Sequence, residues 1–290
     1  MLPIARRLRD AGALTCAVGR SQCVLGAYNA TVRQIVTEVI AISESTASDA
    51  QTQRKLLGML TPSSNTVLEP VTTEMLAGLA EVSAHFSRFP VTEISLSQYG
   101  LGQFEHEKFL AAAALLGDAK MDAIAWNGTS AGWLGFEHDD LLCRGIEETT
   151  GARATTSILA NVALFRRHKV RRFGLVTPYT DDVQSRIIDN FSKAGFECVS
   201  EVHLGISDNF SFSEVSANTL CEMTEKVAES APDGIAIICT NLRAAPLVDE
   251  LEAQWGIPIY DSIAVVVHQA LELAGVDVAR VKGWGRIFQM

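Results

Sequence analysis

From Leu56 onward, short apolar runs alternate with segments whose apolar residues recur at helical spacing, and that alternation leaves few folds open. It predicts an α/β protein in which parallel strands are covered by helices. Candidate strands are Leu56 to Leu60, Val82 to Phe86, Ala123 to Trp126, Phe173 to Val176, Cys198 to His203, Gly234 to Ile238 and Ile257 to Tyr260. The helices expected between them begin near Thr66, Glu105, His138, Ser157, Asp181, Val215, Pro246 and Ile263. The two halves echo one another. Leu60-Thr61-Pro62 matches Val176-Thr177-Pro178, and Ala125-Trp126-Asn127-Gly128-Thr129-Ser130 matches Ile237-Ile238-Cys239-Thr240-Asn241. Two pseudo-symmetric lobes, each a parallel sheet covered by helices, follow from this duplication. In open α/β sheets ligands bind beyond the carboxyl ends of the strands, so the active site is expected in the cleft between the lobes, ringed by these four loops.

The expected division is a first lobe over 56–155, completed by 275–290, and a second over 156–274. Residues 1–55 carry seven Lys/Arg against four Asp/Glu and a polar stretch from Ser43 to Gln53. They read as an appendage, helical or disordered, with no catalytic role. Hydrophobic residues make up 48% and charged residues 20% of the chain, values of an ordinary globular protein. A net charge of −10, with no basic stripe interleaved with aromatics, argues against nucleic acid as a partner. Without an apolar run of about 18 residues or a secretory leader, a membrane role is not expected and a cytoplasmic location is. Assembly into a homo-oligomer is compatible with the sequence and not required by it. The cysteines (Cys16, Cys23, Cys143, Cys198, Cys221 and Cys239) form no C-x-x-C pair and no zinc-type cluster with the scattered histidines, so free thiols and no metal are expected. Nucleotide, dinucleotide and α/β-hydrolase motifs are also absent from the sequence.

The chemistry-bearing residues sit in the four loops. Pro62-Ser63-Ser64-Asn65-Thr66 joins a strand to a helix, where hydroxyl, amide and free N–H groups either cap the helix or receive a carboxylate. Gly128-Thr129-Ser130 carries the same pair of readings, capping or oxyanion binding. Cys239 ends the most apolar strand of the chain. It is either a buried structural cysteine or a thiol whose pKa is lowered by backbone donors and a helix dipole. Tyr179 directly follows a strand, and either packs half-buried or aims its phenol into the cleft. None of the six histidines has an evident partner in the sequence.

Taken in order, the segments Pro62-Ser63-Ser64-Asn65-Thr66, Gly128-Thr129-Ser130, Thr177-Pro178-Tyr179-Thr180-Asp181-Asp182-Val183, Leu204-Gly205-Ile206, Cys239-Thr240-Asn241 and Gly283-Trp284-Gly285-Arg286-Ile287-Phe288 resemble the aspartate/glutamate racemase superfamily. Within it, the similarity is to arylmalonate decarboxylases and maleate cis-trans isomerases. The resemblance implies a cofactor-independent enzyme that moves a proton at a carboxylate-activated carbon, with a small carboxylate as its partner. Two-base members carry a cysteine in each lobe; here the first position matches Gly128, as in the decarboxylases, and the second matches Cys239, the implied proton donor. Gly128, Thr129, Ser130, Tyr179 and Thr240 then correspond to the oxyanion site. Pro62, Ser64, Asn65, Asn209 and Asn241 correspond to substrate-binding positions, and Ser64, Asn65 and Asn209 look like the isomerases, which implies a small polar dicarboxylate. Decarboxylase, isomerase or racemase, and a non-catalytic carboxylate-binding accessory protein are the readings carried forward.

Overall fold

The computed structural model describes residues 54–290, so the expectation for the 1–55 appendage lies almost wholly outside the described residues. The first sheet holds strands β1 (Lys55–Pro62), β2 (Val82–Phe89), β3 (Ala123–Trp126) and β4 (Arg153–Thr156) in the order β2-β1-β3-β4. The second holds β5 (Arg172–Thr177), β6 (Glu197–His203), β7 (Gly234–Ile237) and β8 (Ile259–Asp261) in the order β6-β5-β7-β8. Every strand pairing within the two sheets is parallel, from Leu57 against Ala123 in one to Phe173 against Gly234 in the other. The duplication read in the sequence is therefore a duplication of topology. The central strands are buried on both faces, which is why Leu57, Met59 and Leu60 in β1 and Phe173, Leu175 and Val176 in β5 form near-continuous apolar runs. Strand β4 was not anticipated: Arg153-Ala154-Thr155-Thr156 lacks an apolar run because it is a sheet edge, where a parallel partner and two buried threonines suffice.

Helices α1 (Leu68–Leu76), α2 (Gln98–Gly102), α3 (His106–Asp118), α4 (Ala131–Leu134) and α5 (Phe136–Thr150) accompany the first sheet. Helices α6 (Ser157–Arg167), α7 (Asp181–Lys193), α8 (Ala217–Ala228), α9 (Val248–Trp255) and α10 (Ser262–Leu273) follow. Their buried faces repeat at helical spacing, as Val183, Ile187 and Phe191 do along α7. The chain is less cleanly divided than the sequence suggested. Helix α10, expected in the second lobe, packs on β3 and β4 of the first sheet and against α6, whose Phe165 meets Phe173 and Tyr260 of the second sheet. The segment 275–290, expected to complete the first lobe, bridges both. Arg280 pairs with Glu81 in the first lobe, while the Gly285 and Arg286 N–H groups donate to Asp249 and Glu252 on α9, each at 2.7 Å. Strand alternation reports which sheet a strand joins, but not which sheet a late apolar helix covers.

The histidines are better partnered than the sequence showed. His203 lies between Asp181 at 2.7 Å and Glu201 at 2.8 Å. Its partial burial opposes a charge, but the two carboxylates outweigh that and raise its pKa above the usual histidine value. A raised histidine pKa contributes stability that is complete below about pH 6.5, its unfolded value, and is lost as pH rises through the folded value. His203→Gln is therefore expected to lower Tm more at pH 6 than at pH 9, measured by thermal unfolding across that range. Equal losses at both pH values would refute the assignment.

Candidate active site

In each sheet the chain turns to one side of the central strand and then to the other, so the crevice opens at the carboxyl ends of β1 and β3, and again at those of β5 and β7. A cavity lies at these ends. Its lining comprises Pro62, Gly128, Thr129, Tyr179, Asn209, Cys239 and Thr240, together with Val91, Ile94, Phe104, Trp126 and Trp133. No lining residue carries a formal charge, so an anion there must be held by neutral donors. The cavity contains about 280 Å³ of empty space counted out to solvent, of which only about 20 Å³ admits the centre of a water-sized sphere. That is room for little more than one water molecule. A larger ligand therefore requires some of these lining residues to shift.

Cys239 stands just beyond β7, 2% exposed, with its Sγ accepting from the Asn241 N–H at 3.4 Å. Burial pushes the thiol up to about 12, against the opposing pull of the Asn241 and Leu242 N–H groups and the Tyr179 phenol. The carboxyl of Asp261, at the end of neighbouring β8, pushes it further the same way. The sequence-based expectation of a lowered pKa is thus reversed: desolvation outweighs the backbone donors. At neutral pH Cys239 carries its proton.

The Tyr179 hydroxyl lies 2.7 Å from Thr129 Oγ1, and both groups are buried. Burial also holds the phenol well above the ordinary tyrosine range, so it too keeps its proton. The backbone N–H groups of Gly128, Thr129, Ser130, Cys239 and Thr240 donate to no acceptor among the described residues. The two hydroxyls, and the amides of Gly128, Thr129, Cys239 and Thr240, are neutral donors on residues that line a cavity of low polarity.

The polar residues expected to hold substrate divide into two groups. Asn209 and Thr240 reach the cavity, whereas Ser64, Asn65, Ser130 and Asn241 do not line it. Asn65 is consumed internally. Its Oδ1 accepts from the Val67 and Leu68 N–H groups, each at 2.9 Å, and its Nδ2 donates to Thr240 O and Oγ1 at 3.1 and 3.2 Å. Asn241 accepts from the Thr66 N–H at 3.0 Å and donates to Asn209 O, while Asn209 donates to Ser64 Oγ at 2.8 Å. Ser130 Oγ accepts from the Trp126 indole at 3.2 Å. Asn65, Asn241 and Asn209 thus tie one lobe to the other, while Ser130 holds the Trp126 indole within the first lobe.

The apolar wall was missed by sequence reasoning. Val91, Ile94 and Phe104 belong to the long connection after β2, which crosses to the second lobe through Ile94 N–H to Ser207 O at 2.8 Å and Asn209 N–H to Thr92 O at 3.0 Å. A connection of that length without a predicted strand or helix was itself a signal of a functional loop. Phe104 packs edge-on against Trp133, with ring centroids 5.7 Å apart, and Trp133 packs against Tyr179 at 5.4 Å.

Residues 57–288 match the family model described as arylmalonate decarboxylase. The chain belongs to the arylmalonate decarboxylase family. It is 30% identical over 164 residues to an arylmalonate decarboxylase of Bordetella bronchiseptica, a match covering 56% of this chain and 68% of that protein. Its fold superposes with a TM-score of 0.74 and 22% identity on a cysteine-to-serine mutant of the Nocardia farcinica maleate cis-trans isomerase, which holds a covalent succinylcysteine intermediate. That likeness covers 81% of this chain and 98% of the other. A liganded arylmalonate decarboxylase with one glycine changed to cysteine and one cysteine to serine superposes with a TM-score of 0.72 and 22% identity, over 81% of this chain and 99% of that one. The family places this chain among the enzymes of the superfamily, and the two-lobed fold expected from the sequence is the fold of these relatives. Among the described residues no helix is long and apolar enough to cross a membrane.

Proposed function

We propose that the chain is a cofactor-independent decarboxylase of a malonate-type acid bearing an apolar substituent, with Cys239 as the proton donor. The supporting observation is a single protonated thiol facing a cavity whose remaining walls are neutral donors and apolar side chains. In this reading one carboxylate is held by Thr129, Tyr179 and the free backbone N–H groups of the two strand ends. The other lies against Val91, Ile94, Phe104 and Trp133, where it is poorly solvated. Loss of carbon dioxide from that group relieves the burial of its charge and leaves an enediolate on the retained carboxylate. Cys239 then transfers its proton to the α-carbon and is reprotonated from solvent. The chain's own thiol and hydrogen-bond donors supply every step. The apolar wall argues for a larger substituent than the small polar dicarboxylate expected from Asn65, whose amide is already committed.

A second reading, isomerisation of a small unsaturated dicarboxylate, is favoured by Asn209, which does line the cavity. It requires Cys239 as a thiolate nucleophile, and the burial that raises its pKa works against that. Proton NMR in D2O with α-substituted malonates and with maleate, on wild type and Cys239→Ser, distinguishes the two. Loss of a carboxyl group with deuterium at the α-carbon, dependent on Cys239, is the expected result. Formation of the trans isomer instead would transfer the assignment to the second reading. Ligand-induced shifts without turnover, surviving the substitution, would leave a carboxylate-binding protein.

A further inference from the structure

Gly128 and Trp126 both line the cavity from the end of β3, whereas Cys239 reaches it from the end of β7 in the other lobe. A side chain at Gly128 would begin inside the Trp126 ring. An ideal Cβ there lies 2.0 Å from Cζ2, 2.4 Å from Cε2 and 2.5 Å from Cη2 of the indole, separations that no real side chain adopts. Gly128 does not have a positive φ, so the obstacle is the indole and not the backbone. The ring is also held in place. Trp126 is 1% exposed, donates its Nε1 hydrogen to Ser130 Oγ, and packs against Phe89 and Phe109 at centroid distances of 5.2 and 4.8 Å. A close-packed aromatic cluster of this kind gives way only at a cost.

We propose that Trp126 is the residue that makes this site one-sided: its indole fills the volume in which any side chain at position 128 would stand. The first lobe then presents carbon where a second acid or base would otherwise sit. This inference rests on the reading of Cys239 as proton donor. Under that reading a planar enediolate receives its proton from the second lobe alone, so a malonate carrying two different α-substituents gives a product of a single handedness, which is not drawn back to the enediolate from the other face. Trp126 is thus a specificity-determining residue, and Gly128 is required by it.

Two experiments test this. The first needs no substrate and is a stability cycle with Gly128→Ala in wild type and in Trp126→Leu, which deletes the three clashing atoms. Gly128→Ala is expected to lower Tm by about 5–10 °C in wild type and by under about 2 °C in the Trp126→Leu background. Equal losses in the two backgrounds, or no loss in either, would overturn the steric claim. The second follows α-proton exchange and loss of optical purity in D2O for an enantiopure 2-substituted carboxylate. In the Trp126→Leu/Gly128→Cys double variant, a thiolate on the first lobe removes the α-proton and Cys239 returns one from the other side, which balances without a co-reactant. Racemisation at least about tenfold above wild type is expected from the double variant and not from Gly128→Cys alone. A folded double variant that keeps Cys239-dependent decarboxylation but yields one enantiomer would overturn the proposal. Absence of any Cys239-dependent chemistry in wild type would remove the reading beneath it, while the stability cycle would still decide the relation between Trp126 and Gly128.

Discussion

Cys239→Ser is expected to lower turnover by roughly 10²- to 10⁴-fold, the range supplied by a positioned proton donor, while leaving Tm nearly unchanged. Serine is close in shape to cysteine, and the Asn241 N–H that meets the sulfur at 3.4 Å can meet a hydroxyl instead. What is lost is acidity, since a hydroxyl gives up its proton far less readily than a thiol. The same substitution at Cys143, Cys198 or Cys221, none of which lines the cavity, should change turnover little. Burial gives a companion expectation. With the Cys239 thiol pushed up to about 12, activity should not titrate with an ordinary thiol near pH 8.5, and alkylation at neutral pH should be slow. The measurements are steady-state rates from pH 6 to 10 and timed iodoacetamide labelling read by mass spectrometry. Rapid alkylation of Cys239 at pH 7 would show a thiolate, and with it the nucleophilic reading.

The second large effect is on stability. Asn65→Ala removes two bonds that cap α1 and the donor that joins the first lobe to Thr240. The lost cap costs about 0.5–2 kcal/mol and each buried acceptor left unpaired costs about 1–3 kcal/mol, so a total near 3 kcal/mol is expected in denaturant unfolding. Thr240 also donates to Asn127 O at 3.0 Å, between the Gly128 loop and Cys239, so activity should fall together with stability. Asn65→Asp retains the capping acceptor but sets a carboxylate oxygen against Thr240 O in a buried site, and should destabilise at neutral pH at least as much as alanine does. A loss below about 0.5 kcal/mol for Asn65→Ala would mean the tie between the lobes is not structural.

The alternation of strand and helix was plain in the sequence because parallel strands buried on both faces must be apolar throughout, and the Thr-Pro repeat located strand ends beside the cavity. Pro62, Gly128, Thr129, Tyr179 and Cys239, all of which line the cavity, were legible for that reason: Pro62 is the last residue of β1 and the others lie two or three residues past a strand. Edge strand β4 was not legible, since an edge needs no apolar run. The role of Asn65 was also hidden, because an asparagine before a helix reads the same whether its amide caps, bridges or binds.

What the sequence determined by itself was therefore the α/β class, the duplication and the positions of the loops that line the cavity, Cys239 among them, all of which are local in the chain. Tertiary structure alone decided that α10 crosses to the first sheet, that 90–104 closes an apolar wall over the cavity, that Trp126 occupies the space beside Gly128, and that Cys239 holds its proton. Each of these depends on burial and on contacts between residues far apart in sequence. A side chain's solvent exposure and its pKa are set by neighbours that no local pattern names.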